Sequence, residues 1–452
     1  PRAAPAATFL MVALVALLAG GCLAPKRVGP GERPVGPPPA AAPGGPILVR
    51  IGLTEGADQL RLGADGPWEL AERAHATDVT AHEPAFDVVL ERRGEEVAAT
   101  VDGFTRVAPW LTVAPIDPAH VLRWDDRRWR GELHVIPTPG EAGLTLINVL
   151  ELESYLAGVV PREIGPGRAR RDLAAVAAQA VAARTYTIGR LDAQRARGFD
   201  LFADVRDQAY GGVDWEDPLC TEALARTAGL VLRHGERLVP TYYHSTCGGH
   251  TASIDEVWPY DADPVLAARP DRRPDGRPWC AESRYATWQT RWAWDELSAT
   301  LARTLPDYVA YASAGGRQRW ERDLFTPAVA GARPDAPGAL LDLEVTARTA
   351  SGRVARLVIT TEAGRYVVRG DRTRWVLRPP DGGSSLLRSS WFELRVEAGR
   401  SVQARGQGWG HGIGLCQVGA IGRARAGQDF EAILTHYYPG ARLERLAAGA
   451  LP

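Results

Sequence analysis

The chain has 452 residues, 45% of them hydrophobic, which is enough apolar material to build two or more domains with buried cores. Its 53 basic and 54 acidic side chains leave a formal net charge of -1. This balance gives no support for a protein that binds nucleic acid or adheres to an acidic membrane surface through bulk charge. We therefore expect no nucleic-acid partner.

The chain opens with a short apolar run from Phe9 to Leu18, preceded by Arg2. A run of this length is typical of the core of a signal peptide and is too short to span a membrane, which predicts a signal over 1–22. The letters LLAGGC that end at Cys22 resemble a bacterial lipoprotein signal. The resemblance implies an exported protein anchored only by lipid on Cys22, at the periplasmic face of the outer membrane. An ordinary cleaved signal is the alternative.

Residues 23–46 consist mainly of Pro, Gly and Ala, so they cannot form a core and are predicted to be an extended tether. From 47 to 140, short β-like runs alternate with turns, as in ILVRIGL and FDVVLERRGEEVAATV. We expect a small β-rich N-terminal domain that positions or binds and carries no chemistry of its own.

The segment that follows contains an acidic side chain in a turn context. A strand is predicted over 144–149, and two helical patterns come after it. Glu163 lies between them, bracketed by Pro161 and Gly165, which both favour a break in a helix. Glu163 is therefore predicted at the end of an element. Asp172 is predicted to cap the second helix, which is rich in alanine.

The second helix carries one cation on its apolar stripe. Arg184 would be buried there, and an unpaired buried guanidinium is costly, so Glu153 or Glu163 should pair with it. Gln179 and Tyr186 share a more polar face that could line a cleft. Spacing alone leaves two interpretations open, namely a functional cleft, or a capped helix with a surface Glu and a satisfied Arg.

Downstream patterns complete a mixed fold. A helix is predicted over 217–227, then a hairpin that turns at His234-Gly235, and strands over 345–368 and 392–404. The fold class is α+β, a mixed β-rich domain with a few packed helices plus the smaller β-rich N-terminal region. A second, larger domain is expected over 141–445.

Four residues around the hairpin's exit could bind a metal. His244, Cys247, His250 and Cys280 offer the nitrogen and sulfur ligands that tetrahedral zinc prefers. A Cys247–Cys280 disulfide, as expected in an oxidising compartment, is an equal alternative. A third reading assigns His244 to a ligand cleft without metal. Zinc with four protein ligands would be structural, since no coordination position stays open.

The stretch 406–419, GQGWGHGIGLCQVG, is dense in glycine but fits no phosphate-binding motif. Trp409 and His411 offer a stacking face beside a polar group, which suits a sugar, and Gln417 could contact the same ligand. A glycine-rich turn packed near the core is the alternative. A thiol peptidase using Cys416 and His411 is disfavoured because no third supporting group is apparent.

Several blocks resemble the stage II sporulation protein D family. They are YLAGVVPREI with AVAAQAVAARTYTI, DQAYGG, TAGLVLRHGERLVPTYYHSTCGGHT, EVW, GWGHGIGLCQVGA and ILTHYYPGARL, in the family's order over most of Leu144–Leu443. The family's catalytic glutamate corresponds to Glu163. Some members hold zinc near the loop that corresponds to His244–His250. The resemblance therefore implies that no cofactor is required, and that a zinc ion bound here would be structural.

The resemblance implies a peptidoglycan lytic transglycosylase that cleaves the β-1,4 bond between N-acetylmuramic acid and N-acetylglucosamine in peptide-stripped glycan. Glu163 would be its single general acid and base. A non-catalytic glycan-binding amidase enhancer, with a cell-wall amidase as partner, is the alternative. The residues expected to contact glycan are Gln179, Arg184, Tyr186, His244, Ser245, Trp409, His411 and Gln417.

Overall fold

The computed structural model describes residues 45–72, 79–314, 323–380 and 386–446. The signal predicted over 1–22, the lipidation site Cys22 and nearly all of the tether lie outside the described residues. Within the described ranges, no helix has both the length and the hydropathy needed to cross a membrane.

Strands dominate the N-terminal third and, together with the later strand β13, pair into two sheets. The first has seven strands in the order β13-β1-β12-β11-β8-β3-β4. The second has six strands in the order β10-β9-β2-β5-β6-β7. Their bounds are β1 Leu48–Ala57, β2 Gln59–Ala64, β3 Trp68–Ala71, β4 Val79–His82, β5 Val88–Arg93, β6 Glu96–Val101, β7 Phe104–Ala108, β8 Leu111–Pro115, β9 Leu122–Trp124, β10 Arg127–Trp129, β11 Glu132–Pro137, β12 Leu144–Glu151 and β13 Leu201–Phe202.

The remaining strands form four smaller sheets, in the orders β15-β14-β25, β16-β24, β17-β23-β22 and β18-β21-β20-β19. Their bounds are β14 Leu230–His234, β15 Arg237–Leu238, β16 Tyr243–His244, β17 Thr287–Ala293, β18 Phe325–Pro327, β19 Leu340–Arg348, β20 Val354–Thr361, β21 Gly364–Arg369, β22 Phe392–Glu397, β23 Ser401–Gln407, β24 Leu415–Cys416 and β25 Arg442–Arg445.

Helices pack against these sheets, which confirms the α+β class. Their bounds are α1 Leu152–Ile164, α2 Leu173–Ile188, α3 Pro218–Arg226, α4 Ile254–Val257, α5 Trp294–Ser313, α6 Arg372–Val376, α7 Gln417–Arg425 and α8 Phe430–Tyr437. The helix predicted after Asp172, the helix over 217–227 and the hairpin at His234-Gly235 are confirmed as α2, α3 and β14–β15.

The first hydrophobic core does not stop at residue 140, where the sequence predicted a domain boundary. β12 lies between β1 and β11 and pairs antiparallel with both, so strands before and after the expected boundary share one sheet. Buried residues from Val49 to Ala441, including most of α1 and α2, belong to this core. Separating the two regions at 140 would leave backbone groups of β1 and β11 unpaired.

A second core lies within the domain predicted over 141–445. It runs from Trp288 to Ala404 and joins α5 to the β17-β23-β22 and β18-β21-β20-β19 sheets. The first core includes Cys280 before this unit and resumes at Ile413 after it. The unit is therefore an insertion between two segments of the first core.

Helix α2 is the centre of the first core. From Ala175 to Ile188 every residue is buried, because its alanines let neighbouring helices approach closely. Asp172 stands at the N-cap position, but its side chain makes no capping hydrogen bond. It receives two hydrogen bonds from Arg425 instead, with N–O distances of 2.7 and 3.1 Å, and so ties α2 to α7.

Candidate functional site

Glu163 lies in the last turn of α1, as predicted, one residue before the helix ends at Ile164. Pro161 has no N–H to donate within this turn. Gly165 follows with a φ of 92°, a conformation that glycine adopts far more readily than other residues. The helix thus ends one residue after Glu163, so the carboxyl group can project beyond the end of the helix.

The segment DQAYGG supplies the first partner of this carboxyl group. The backbone N–H of Ala209 donates to Oε1 of Glu163, with an N–O distance of 2.8 Å. Close approach of the segment depends on Gly158, because a Cβ there would lie 2.6 Å from the ring of Tyr210. The carbonyl of Gly158 also accepts from the N–H of Gly211 at 3.2 Å. A small residue inside α1 therefore helps place Ala209 beside Glu163.

Two glutamines connect the other carboxyl oxygen to distant elements. Gln417, the first residue of α7, donates from Nε2 to Oε2 of Glu163 at 3.3 Å and to Oε1 of Gln179 at 3.4 Å. Gln179 is fully buried on α2, and its Nε2 has no partner among the described atoms. The structure thus brings the predicted residues Gln179 and Gln417 together with Glu163.

The surroundings of Glu163 favour its protonated form. Burial raises the pKa of Glu163 above its ordinary value, and this effect outweighs the opposing contributions. Hydrogen bonds from Ala209 and Gln417, the charge of Arg162 and a hydrogen bond from Tyr243 lower the pKa. A carboxyl group with a raised pKa beside hydrogen-bond donors can give up a proton and then be stabilised as an anion.

Tyr243 and Gln208 belong to the site, although they were not singled out from the sequence. Nε2 of Gln208 donates to the hydroxyl of Tyr243 at 2.9 Å. Oε1 of Gln208 accepts from Thr187 at 2.8 Å and from Tyr155 at 3.2 Å. Gln208 lies within DQAYGG and Tyr243 directly before HSTCGG, so these two motifs were the available signal. The buried network fixes the tyrosine that faces Glu163.

Arg184 is not a glycan contact, contrary to the expectation. Its side chain is 0% exposed and forms a bidentate ion pair with Glu153, with N–O distances of 2.7 and 2.8 Å. Its remaining bond goes to the carbonyl of Leu230 at 3.2 Å. Glu153 begins α1, whereas Glu163 ends it. The first of the two carboxylates considered is thus the partner, and the guanidinium of Arg184 is buried rather than exposed at a cleft.

Tyr186 also has a structural partner. It is 8% exposed, and its hydroxyl donates to Oδ1 of Asp207 at 2.9 Å. Arg190 binds the same oxygen at 3.1 Å, while the N–H of Phe202 donates to Oδ2 at 2.9 Å. These bonds hold the loop that leads to Ala209, so Tyr186 acts on the site by supporting that loop.

The two histidines expected at the cleft, His244 and His411, pack edge to face, with ring centroids 5.6 Å apart. His411 is fully bonded, because Nε2 contacts the carbonyl of Tyr243 at 2.9 Å and Nδ1 accepts from the N–H of Ile413 at 3.0 Å. Burial lowers its pKa to about 4, so the ring is neutral. Its role is to hold the loop rather than to offer a free nitrogen to a ligand.

His244 differs from His411 because one of its nitrogens is unpaired. Nδ1 lies 3.1 Å from the carbonyl of Ile413, so it carries the proton. Burial lowers the pKa of His244 well below its usual value, which leaves Nε2 as an acceptor, and that atom has no partner among the described atoms. His244 therefore keeps a lone pair for a hydroxyl donor.

Trp409 and Ser245 lie on adjoining segments. The backbones of Thr246 and Trp409 form a two-way bridge, with N–O distances of 3.0 and 2.8 Å. The Trp409 ring packs edge-on against Tyr285, with centroids 4.2 Å apart, and stays half-buried. The carbonyl of Ser245 accepts from the N–H of Val418 at 3.0 Å. The glycine-rich stretch 406–419, which carries both Trp409 and Gln417, thus runs alongside the segment of Ser245 and Thr246.

Three buried thiols lie close together at the glycine-rich stretch 406–419. The sulfur atoms of Cys247, Cys280 and Cys416 all lie within 4.8 Å of one another, and all three residues are buried. Cys247 and Cys280 come together as expected, but their sulfurs are 3.6 Å apart and both are free thiols. The third sulfur is that of Cys416, which was not predicted as a ligand. Hydrogen bonds from the other two thiols lower the pKa of Cys280 to about 4.

His244 and His250, the expected nitrogen ligands, are not part of this group of sulfurs. Nδ1 of His250 lies 2.8 Å from the carbonyl of Thr251. The set of donors that the structure offers to a metal is therefore three thiols, and it suits a thiophilic cation such as zinc. Cys220 is a buried residue of α3 and is separate from this group.

Comparison with known proteins places this site within a described family. Residues 140–234 match the model of the stage II sporulation protein family (SpoIID), and residues 319–414 match a domain of unknown function (DUF8618). The first match contains Glu163, Gln208 and Ala209. The second falls within the inserted unit and continues into the glycine-rich loop.

Individual relatives agree with the first match. The amidase enhancer of Bacillus subtilis (strain 168) is 29% identical over 311 residues, which cover 64% of this chain and 40% of that protein. Stage II sporulation protein D of Bacillus amyloliquefaciens is 27% identical over 306 residues, covering 64% of this chain and 73% of that protein. An uncharacterized protein of Brachyspira hyodysenteriae is 26% identical over 298 residues, covering 66% and 67%.

The chain thus spans less than half the length of the amidase enhancer. The family model covers the segment that carries α1, α2 and the partner of Oε1 of Glu163. The chain contains a domain of the stage II sporulation protein D family over residues 140–234, the domain in which Glu163 ends α1.

Proposed function

We propose that the protein is a peptidoglycan lytic transglycosylase. It cleaves the β-1,4 bond between N-acetylmuramic acid and N-acetylglucosamine and leaves a 1,6-anhydro-muramic end. The observation that carries the proposal is the carboxyl group of Glu163, whose pKa is raised by burial while Ala209 and Gln417 donate to its two oxygens. Relatives named for sporulation and for amidase enhancement support a role at the cell wall.

The reaction needs one carboxyl group that acts twice. Protonated Glu163 gives its proton to the glycosidic oxygen as the C1–O bond breaks, and N-acetylglucosamine leaves as an alcohol. The carboxylate then takes the proton of the muramic 6-hydroxyl, whose oxygen bonds to C1. Protons and atoms balance without water. The donors from Ala209, Gln417 and Tyr243 would stabilise the carboxylate between the two steps.

Hydrolysis by an ordinary glycosidase would require a second working carboxylate. Asp207, two residues before Ala209, is the acidic residue on the loop that binds Glu163. Both of its oxygens are occupied by Tyr186, Arg190 and Phe202, as described above. Its bonds therefore favour a supporting role, and this favours the mechanism with a single carboxyl group.

We place the glycan along the surface between Glu163 and Trp409. Gln179 Nε2 and His244 Nε2 are a donor and an acceptor without partners among the described atoms, which suits hydroxyl and acetamido groups. Trp409 supplies an aromatic face for the apolar side of a sugar. The substrate is expected to be glycan stripped of its stem peptides, and localisation through a lipidated Cys22 at the outer membrane remains part of this proposal.

Trp409→Ala is expected to weaken binding to peptide-free glycan by roughly 10-fold, because one aromatic contact contributes up to about 1.5 kcal/mol. Co-sedimentation with insoluble glycan measures the change in Kd. Phe104→Ala is the matched control, since Phe104 is an aromatic residue of β7 that is 81% exposed. Equal binding by the Trp409 and Phe104 variants would contradict the placement of the glycan.

Gln417→Leu is expected to move the alkaline limb of the pH–rate profile to higher pH. The amide of Gln417 favours the charged form of Glu163 and so lowers its pKa. Without that bond, Glu163 keeps its proton to a higher pH, and the acid form that starts the reaction persists. Gln289→Leu, at an exposed position of β17, should leave the limb unchanged. An unmoved limb in the Gln417 variant would show that Glu163 does not set it.

A second function is favoured by one observation, the similarity to a protein named amidase enhancer. In that case the protein would grip glycan and activate a partner amidase without cutting the strand. Incubation of purified protein with peptide-free glycan, followed by mass spectrometry, separates the candidates. New anhydro-muramic ends support the transglycosylase, new reducing ends support a hydrolase, and binding without new ends supports the enhancer.

A further inference from the structure

Two arginine side chains contact the ring of Tyr285, the residue against which Trp409 packs. The guanidinium carbons of Arg284 and Arg388 each lie 4.6 Å from the centre of the Tyr285 ring. Trp409 packs edge-on against the same ring, with centroids 4.2 Å apart. The attraction of a cation to an aromatic ring thus holds both guanidinium groups next to the indole on which a sugar is proposed to lie.

Neither guanidinium group has a carboxylate partner among the described residues. Glu282, the acidic residue nearest to Arg284 in sequence, is paired with Arg425 at 2.6 Å instead. Arg284 is exposed and Arg388 is half-buried, so the N–H groups of both can reach a ligand. Two positive charges beside Trp409 are therefore available to an anion.

The glycines on either side of Trp409 fix the segments that carry these charges. The N–H of Gly408 donates to the carbonyl of Tyr285 at 3.0 Å, and the N–H of Gly410 donates to the carbonyl of Arg388 at 2.9 Å. The φ angles of the two glycines are 83° and 108°, values that other residues rarely adopt. The backbone around Trp409 thus determines where both arginines stand.

A cleft continues from this cluster into the inserted unit, at the β17-β23-β22 sheet. Its volume is about 740 Å³, which is within the usual range for a ligand site. Thr287 and Gln407 line it, and they follow Tyr285 and precede Trp409 by two residues, respectively. A ligand that contacts Trp409 therefore has room to extend, which suits a chain molecule better than a small anion.

The cleft itself does not carry a comparable positive charge. Arg405 and Glu393 both line it and lie opposite each other in register on β23 and β22, so their charges offset. Arg348, another lining residue, donates to two backbone carbonyls at 3.1 and 2.8 Å. An anionic group of the ligand is therefore expected at Tyr285 and not further along the cleft.

The ligand that fits this arrangement combines a sugar face with a carboxylate. The indole suits the apolar side of a sugar, and a guanidinium group binds a carboxylate through paired N–H donors. Glycan stripped of its stem peptides has both features, because each N-acetylmuramic residue then carries a free lactyl carboxylate. In a strand that keeps its peptides, the same group is a neutral amide.

We propose that Arg284 and Arg388 bind the lactyl carboxylate of a muramic residue next to Trp409 and so select strands without stem peptides. This proposal rests on the placement of the glycan given under the proposed function. Neither arginine lies in the segment 140–234 that matches the family, and Arg388 belongs to the inserted unit. The inserted unit thereby supplies part of the surface that distinguishes one form of the glycan from another.

Binding to two forms of one glycan tests the proposal. Peptide-free strands are compared with the same strands after their lactyl carboxylates have been converted to methylamides, which removes the charge and keeps the sugars. The full chain carries Glu163→Gln, so that no strand is cut, and fluorescence anisotropy gives each Kd. The carboxylate form is expected to bind roughly 10-fold more tightly, and salt should reduce the difference. Equal affinities would overturn the proposal.

The combined substitution of Arg284→Gln and Arg388→Gln should abolish this preference. Affinity for carboxylate strands is expected to fall by roughly 10-fold, while affinity for amide strands stays the same. The control combines Arg195→Gln and Arg303→Gln, exposed positions before β13 and in α5, and should keep the preference. Equal losses for both strands in the first variant would overturn the assignment, because the arginines would then only support the Trp409 ring.

Cleavage is judged separately from this preference. If the chain with its native Glu163 releases no anhydro-muramic ends, the proposed reaction fails, while the preference for carboxylate strands still decides the role of the two arginines. If the chain binds neither form of the strand, the placement of the glycan and the present proposal are both wrong. Tighter binding to glycan that keeps its stem peptides would also overturn the proposal.

Discussion

Glu163→Gln is expected to lower the release of anhydro-muramic ends from peptide-free glycan by at least about 100-fold, the usual minimum for loss of a general acid or base. Glutamine keeps the size of the side chain and can still accept from the N–H of Ala209. It cannot donate a proton to the leaving oxygen or take one from the 6-hydroxyl. Release at the wild-type rate would remove Glu163 from the mechanism.

The matched control is Glu151→Gln, an exposed residue at the opposite end of α1. It carries the same change of charge at the N-cap of the same helix and should retain full activity. Loss of activity in both variants would indicate a general electrostatic effect on substrate rather than proton transfer at Glu163.

Stability provides an independent readout of the same variant. Because the folded pKa of Glu163 is raised, its favourable contribution is complete below the pKa of the unfolded chain and is lost as pH rises through the folded pKa. Glutamine does not ionise, so Glu163→Gln should be at least as stable as the wild type at neutral pH. Its advantage should grow between acidic and neutral pH in denaturant titrations. A variant less stable at every pH would mean that the carboxylate has a structural role.

Local sequence patterns were sufficient for the elements that carry Glu163. Pro161 and Gly165 mark the end of a helix by their own backbone restrictions, and the alanine-rich run marks α2 by composition. The need of a buried Arg184 for a carboxylate also predicted an ion pair correctly. The first two inferences succeed because their signals are local, and the third because a buried cation needs a counter-charge and Glu153 lies only 31 residues away.

The same reasoning could not predict contacts between segments that are distant in sequence. The bond between Gln417 and Glu163 joins residues 254 apart in sequence, and that between Cys247 and Cys416 joins residues 169 apart. Spacing placed His250 beside Cys247 in a zinc motif, yet the chain turns there through Gly248 and Gly249, and both have positive φ. The third thiol arrives on β24, which pairs in parallel with β16. Only the pairing of the strands reveals that arrangement.

The sheet explains why the predicted domain division was wrong. The strands over 47–140 looked self-sufficient because each alternates apolar and polar residues. β12 nevertheless inserts between β1 and β11, so the N-terminal region and α1 share one core. Helix α1 follows directly on β12, so the place of Glu163 depends in part on strands that carry no chemistry themselves.

The buried ion pair at the start of α1 gives the largest expected effect on stability. Glu153→Leu should lower the free energy of unfolding by about 3 kcal/mol, because it leaves the guanidinium of Arg184 buried without a counter-charge. Of its hydrogen bonds to described residues, the one to the carbonyl of Leu230 would remain. Urea titration followed by tryptophan fluorescence measures the change. Glu222→Leu in α3 is the control, since its partners Arg170 and Arg226 are 68% and 57% exposed and stay in water.

Replacing Arg184 instead of Glu153 should lower the free energy of unfolding by a smaller amount. In Arg184→Met an apolar side chain fills the buried space, while Glu153, whose side chain is 44% exposed, remains solvated. The double variant Glu153→Leu with Arg184→Met contains no unpaired charge, so we expect it to be more stable than Glu153→Leu alone. That order distinguishes loss of a counter-charge from loss of packing, because packing loss would accumulate in the double variant. A double variant less stable than Glu153→Leu would show that the packing lost with the Arg184 side chain outweighs any penalty of burying its guanidinium unpaired.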